Sequence, residues 1–231
     1  LHFILHPNKT AMKFNCPRPT ALKVMPASVC GMKFDQFAMG ALQLVQPSAS
    51  RPFTPALPAN AKASWVSAMA ALGAAKMVLT PVFAGLVIPP SERQEEGGND
   101  NSTFKGIPRA LGRSAILVEL TCANLSTEQL VVLRSYEEMS LPTFGGFSLT
   151  IGLFNVNNQA LLQKVFEEGE EVADTYEGIP LYNFHVGGTS SEGLNQDNKN
   201  VISFYLPADW DERVALVDLD FNPFVELQAA A

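Results

Sequence analysis

Side chains that carry chemistry are scarce in this chain. Its 231 residues include only three cysteines, three histidines and two tryptophans. Three cysteines cannot build the dense disulfide framework of a small secreted scaffold. The histidines His2, His6 and His185 have no Cys or His at metal-ligand spacing, so no zinc pattern forms. A G-x-S-x-G elbow, a phosphate loop and a dinucleotide fingerprint are all missing. Charged residues make up 17% of the chain and leave a net charge of −7. Affinity for nucleic acid comes mostly from Lys and Arg neutralising phosphates, so a net-acidic chain argues against nucleic acid as a partner. Acidic residues are themselves nearly absent from the first third. Before Pro90 stand 8 basic residues and 1 acidic one, Asp35, whereas 8 basic and 22 acidic residues follow it.

What is there divides along the same line. The first 88 residues are rich in Ala, Ser, Pro and Met and poor in acid, the composition of a transit peptide, which assigns residues 1–88 to a leader and the protein to an organelle, the plastid. Within it Ala63 to Ile88 is almost wholly apolar or small and long enough to span a bilayer. Lys76 near its middle opposes spanning, at a cost of about 2.5 to 3.5 kcal/mol. Three readings of this run follow: a cleaved signal with small residues near Val82 and Ala84, a membrane anchor through residues 63–88, or a buried Ala-rich helix. Residues 89–113, opening on Pro, Gly and charge, read as a solvated linker. Residues 114–231 then form the globular domain.

In that domain Ser114–Cys122 reads as a strand, its apolar run implying burial on both faces of a parallel sheet. Ser126 and Gln129 form a capping box for a helix to about Ser140, with Leu130, Leu133, Tyr136 and Met139 on its apolar stripe. A second strand covers Phe147–Phe154. Asn157 and Asn158 then offer a cap for a second helix, with Leu161, Val165, Val172 and Tyr176 inward and Glu167, Glu168, Glu170, Glu171 and Asp174 as a solvated face. Strands at Leu181–Val186 and Val201–Leu206 should pair antiparallel. Asp209 and Glu212 cap a last helix through Leu219.

The order β-α-β-α-β-β-α, with Gly178-Ile179-Pro180 entering the third strand, resembles the thioredoxin-like superfamily. The resemblance implies an α/β fold with a mixed sheet, and a cis Pro180 facing an active site near the end of the first strand. There Cys122 stands alone in T-C-A-N-L-S, where redox members carry C-x-x-C. Without a resolving thiol, the expected function is a non-catalytic interaction or chaperone-like module, associated with import or assembly. Gly178, Ile179 and Pro180 would lie in its binding face, with other proteins as partners and no cofactor or metal. An enzyme using Cys122 as a peroxidase or single-cysteine oxidoreductase nucleophile is one alternative, and an anchored subunit of a membrane complex is another. A buried, inert Cys122 is the competing structural reading.

Overall fold

The computed structural model describes residues 37–45, 51–98, 107–139, 148–167, 169–190 and 197–228. Of these, 51% lie in strands and 19% in helical turns. The N-terminal half contributes strand β1 (Phe37–Val45), helix α1 (Lys62–Ala70), β2 (Met77–Leu79), β3 (Phe83–Val87), β4 (Arg93–Glu96), β5 (Arg109–Arg113) and β6 (Ile116–Ala123). Helix α2 (Thr127–Met139), β7 (Ser148–Asn155), β8 (Gln159–Glu167), β9 (Glu170–Glu177), β10 (Ile179–Pro180) and β11 (Tyr182–Val186) follow. The chain closes with β12 (Lys199–Leu206), β13 (Val214–Asp218) and α3 (Pro223–Glu226).

Strand pairing is antiparallel throughout the described residues. A larger sheet runs in the order β13-β8-β7-β1-β2, with β9 added beside β8 and β10 beside β7. A smaller sheet runs β11-β12-β6-β3. Between the sheets lies one apolar cluster that includes Leu42, Ile151, Leu153 and Leu161 from the larger sheet and Val118, Leu120, Ile202 and Phe204 from the smaller. Alternate residues of the larger sheet, among them Met39, Ala41, Phe154 and Leu162, face a second cluster built with Trp65 and Met69 of α1 and with Leu219, Phe221 and Leu227. Period-two alternation thus sends β1, β7 and β8 of the larger sheet into two cores at once. Strands β4 and β5 form a separate two-stranded ribbon whose residues are all exposed.

An all-antiparallel β architecture replaces the expected thioredoxin-like α/β order. Two expected helices are strands. The run after Asn157 holds three consecutive buried residues, Ala160, Leu161 and Leu162, which a helical stripe does not produce and a strand covered on both faces does. Asn158, at φ 57°, turns the chain as a hairpin instead of capping a helix, and Gly169, at φ 89°, makes a second turn into β9. Glu167, Glu170 and Glu171 therefore flank a hairpin tip, while Glu168 lies outside the described residues. Near the C-terminus Asp209 makes no side-chain cap, the 3-10 turn Trp210–Glu212 ends at once, and Val214–Asp218 pairs with β8.

The expected first strand exists as β6, but it is neither parallel nor covered on both faces. Its residues alternate between buried and exposed, and Leu117 is 38% exposed. The apolar run 63–88 is not one element. It is divided among α1, a 3-10 turn at Gly73–Ala75, β2 and β3, and no helix among the described residues is long and apolar enough to cross a membrane. The expected boundary near residue 89 coincides with no break in the sheets. Strands β3 and β6 pair across it, and β4 with β5 prolongs that pairing in nearly the same register, Val87 opposite Glu119 and Arg93 opposite Arg113.

Candidate functional site

Cys122 and the Gly178-Ile179-Pro180 tripeptide occupy different sheets. Cys122 lies on β6 between Phe83 and Asn200, is fully buried, and burial pushes its thiol up to about 11. Ile179 and Pro180 pair with Ile151 and Thr150 of β7 in the larger sheet. Ile179 belongs to the same inter-sheet cluster as Cys122, so both are buried in the core and neither faces solvent. No peptide bond among the described residues is cis, so the Ile179–Pro180 bond departs from the expected geometry. At Gly178 the backbone is tightly packed. A Cβ on Gly178 would stand 2.5 Å from Thr150 Oγ1 and 3.0 Å from the Ile151 nitrogen, so only glycine lets the chain pass from β9 to β10 so close to β7. His185 reaches Glu137 of α2 at 3.3 Å on an exposed rim, and Glu137 also accepts from the Val186 N–H at 2.7 Å, which ties α2 to β11.

A concavity opens between α2 and β2. The helix begins at a capping box in which Ser126 N–H donates to Gln129 Oε1 at 3.0 Å and Gln129 N–H donates to Ser126 Oγ at 3.2 Å. Leu133 anchors it in the inter-sheet core. Across from it, β2 hydrogen-bonds to β1, and the chain turns at Thr80–Pro81–Val82 towards β3. Thr80 fixes that turn by accepting from the Gly40 N–H at 2.8 Å and donating to the Pro81 carbonyl at 3.0 Å. Between helix and strand remains a cavity of about 550 Å³, walled by Leu42, Val78, Leu79, Val82, Val132 and Leu133. A smaller one of about 160 Å³ shares Leu42, Val78 and Tyr136 with it and therefore lies alongside.

Polar side chains also line these walls, Thr80, Gln129 and Gln228 among them in the larger cavity. Tyr136 lines both cavities; desolvation raises its phenol pKa, and its hydroxyl has no partner among the described residues. Glu128 stands at the larger cavity and Lys76 at the smaller. Gln43 borders the smaller cavity, but its Nε2 is spent on the Ala75 carbonyl at 2.8 Å and its Oε1 is sealed from solvent. Val82 and Val132, each about half exposed, leave an apolar rim. Among the described residues no three His, Cys, Asp or Glu side chains converge as a metal ion would require.

Sequence reasoning placed Tyr136 and Leu133 on the helix but missed the site. Its signal was the surplus of apolar residues on α2, where Val132, which lines the cavity, lies outside the one buried stripe. The opposing wall came from residues that composition had assigned to a leader. No protein-family model matches the chain, and no curated protein matches it significantly.

Proposed function

We propose that the chain is a non-catalytic binding module that takes a small, mostly apolar molecule into the cleft between α2 and β2. The observation that carries this reading is the 550 Å³ cavity itself, mostly apolar-walled and bordered by a tyrosine hydroxyl that has no partner among the described residues. Its volume falls within the span of roughly 300 to 1,000 Å³ typical of small-molecule sites, and such sites pair apolar walls with a few polar groups. Thiol chemistry finds no support in the placement of Cys122, because nucleophilic attack needs an accessible thiolate and this thiol is buried with a raised pKa.

Titration with N-phenyl-1-naphthylamine, a neutral apolar fluorophore, tests the reading. Saturable binding at one site per chain is expected. Val132→Trp, which extends a half-exposed wall residue into the cavity, should weaken it by about tenfold or more while leaving the circular dichroism and melting temperature in place. Absence of saturable binding, or equal binding by Val132→Trp, would refute it.

A further inference from the structure

The two cavities have opposite electrostatic ends. Among the described residues Lys76 is the one charged side chain bordering the smaller cavity and Glu128 the one bordering the larger. Lys76 has no ion pair or side-chain hydrogen bond among the described residues, although other lysines here, Lys62 and Lys164, are paired with glutamates. The shared wall is formed by Leu42, Val78 and Tyr136, so Tyr136 borders both the cavity that Lys76 lines and the larger apolar one. From this arrangement we infer that the ligand is a single-chain amphiphile with a monoanionic head, its head held by Lys76 and the Tyr136 hydroxyl and its tail directed past Val78 and Leu133 towards Val82 and Val132. The inference rests on the binding reading above and adds the ligand's class and direction.

Three physical arguments fix that class. An ammonium accepts no hydrogen bond and offers three donors, so an anionic oxygen matches it and a cationic head does not. The reverse direction would bring the anionic head to Glu128, where like charges repel. The apolar walls reward a hydrocarbon tail by about 0.8 kcal/mol for each buried methylene, and adjoining cavities of about 550 and 160 Å³ have room for one such chain.

The test is displacement of bound N-phenyl-1-naphthylamine by matched ten-carbon ligands below their micelle concentrations: decanoate, decanol and decylammonium. Decanoate should displace the fluorophore at about a tenfold lower concentration than decylammonium. Lys76→Met should weaken decanoate by about tenfold and leave decanol unchanged, because only the charge-assisted contact is removed. Tyr136→Phe should weaken decanoate and decanol alike by a few fold, by loss of one neutral hydrogen bond. If the fluorophore binds but decanoate has no advantage, or if Lys76→Met leaves decanoate binding intact, the anionic-head inference is overturned while the cavity reading survives. If the fluorophore itself does not bind, the cavity reading fails first.

Discussion

The two sheets bury the same kinds of residues in different ways. In the larger sheet, β7 runs Ser148 to Asn155 with every residue after the first buried, since one face meets the smaller sheet and the other meets α1 and the C-terminal segment. In the smaller sheet, β6 runs Ile116 to Ala123 with a comparable apolar content, yet Leu117 and Glu119 face solvent between buried neighbours. Tyr182, Tyr205 and Leu117 lie opposite one another across three strands on that open face. An apolar run therefore reveals a strand but not how many of its faces are covered. The second cover of the larger sheet comes from residues far away in sequence, and Trp65 is its centre. Its ring lies 4.4 Å from Phe53 and 4.8 Å from Phe154 between centroids, and its Nε1 donates to the Ala59 carbonyl at 2.6 Å.

The sharpest way to break this comparison is to remove the first 88 residues. That deletion takes β1 from the middle of the larger sheet, its edge strand β2, the outer helix α1 and the edge strand β3 of the smaller sheet. Residues 89–231 alone should show no cooperative urea transition and no near-ultraviolet dichroism. A cooperative transition from that fragment would show that the globular part stands without its leading strands. Within the intact chain, Trp65→Ala should cost about 3 to 5 kcal/mol in urea unfolding, the range for emptying a large aromatic site in a packed core. A loss below about 1 kcal/mol would mean that the outer layer is not closely packed.

Parts of this fold were legible and parts were not, for identifiable reasons. The capping box at Ser126 is local chemistry, and both of its hydrogen bonds form. The antiparallel pairing of β11 with β12 likewise follows from a connection that lacks a helix. The error at Gln159–Glu177 arose because Leu161, Val165, Val172 and Tyr176 satisfy helical spacing, while the run Ala160–Leu162 that points to a doubly covered strand makes sense only once both covers are known. Asn157-Asn158 was ambiguous in the same way, since asparagine serves both helix caps and left-handed turn positions. Only the α2 wall of the candidate site could be read locally. Charge partition separated the β2 wall from it, although acid-poor composition does not prevent a segment from pairing in a sheet.

Two glycine and surface changes sharpen the contrast at lower cost. Gly178→Ala should destabilise by about 1 to 3 kcal/mol, because its Cβ meets Thr150 and backbone, neither of which can move without shifting β7. A neutral result in thermal unfolding would mean that β10 is displaced easily from that edge. Leu117→Ala, on the open face of the smaller sheet, should cost about 1 kcal/mol or less, against the several expected at Trp65. An equal loss at both positions would erase the distinction between one covered face and two.

Cys122 lies on the covered face of that same strand. Its thiol is raised from 9.0 to about 11 by desolvation, so the folded state holds its proton in a range where the unfolded chain has released it. Below pH 9 both states are protonated and the group adds no pH dependence. As pH rises from 9 towards 11 the unfolded state binds fewer protons than the folded one, so stability falls across that window and the loss is complete above it. Urea midpoints should therefore decline more steeply between pH 9 and 11 in the native chain than in Cys122→Ala, whose lower but flatter profile removes this contribution. Iodoacetamide labelling at pH 8 should be slow in buffer and accelerate in step with unfolding by urea, since a thiol inside the inter-sheet core meets reagent only when β6 separates from its neighbours. Rapid labelling of folded protein would place Cys122 on an accessible surface, return the enzyme reading to contention, and remove the premise that the buried face of the smaller sheet is closed.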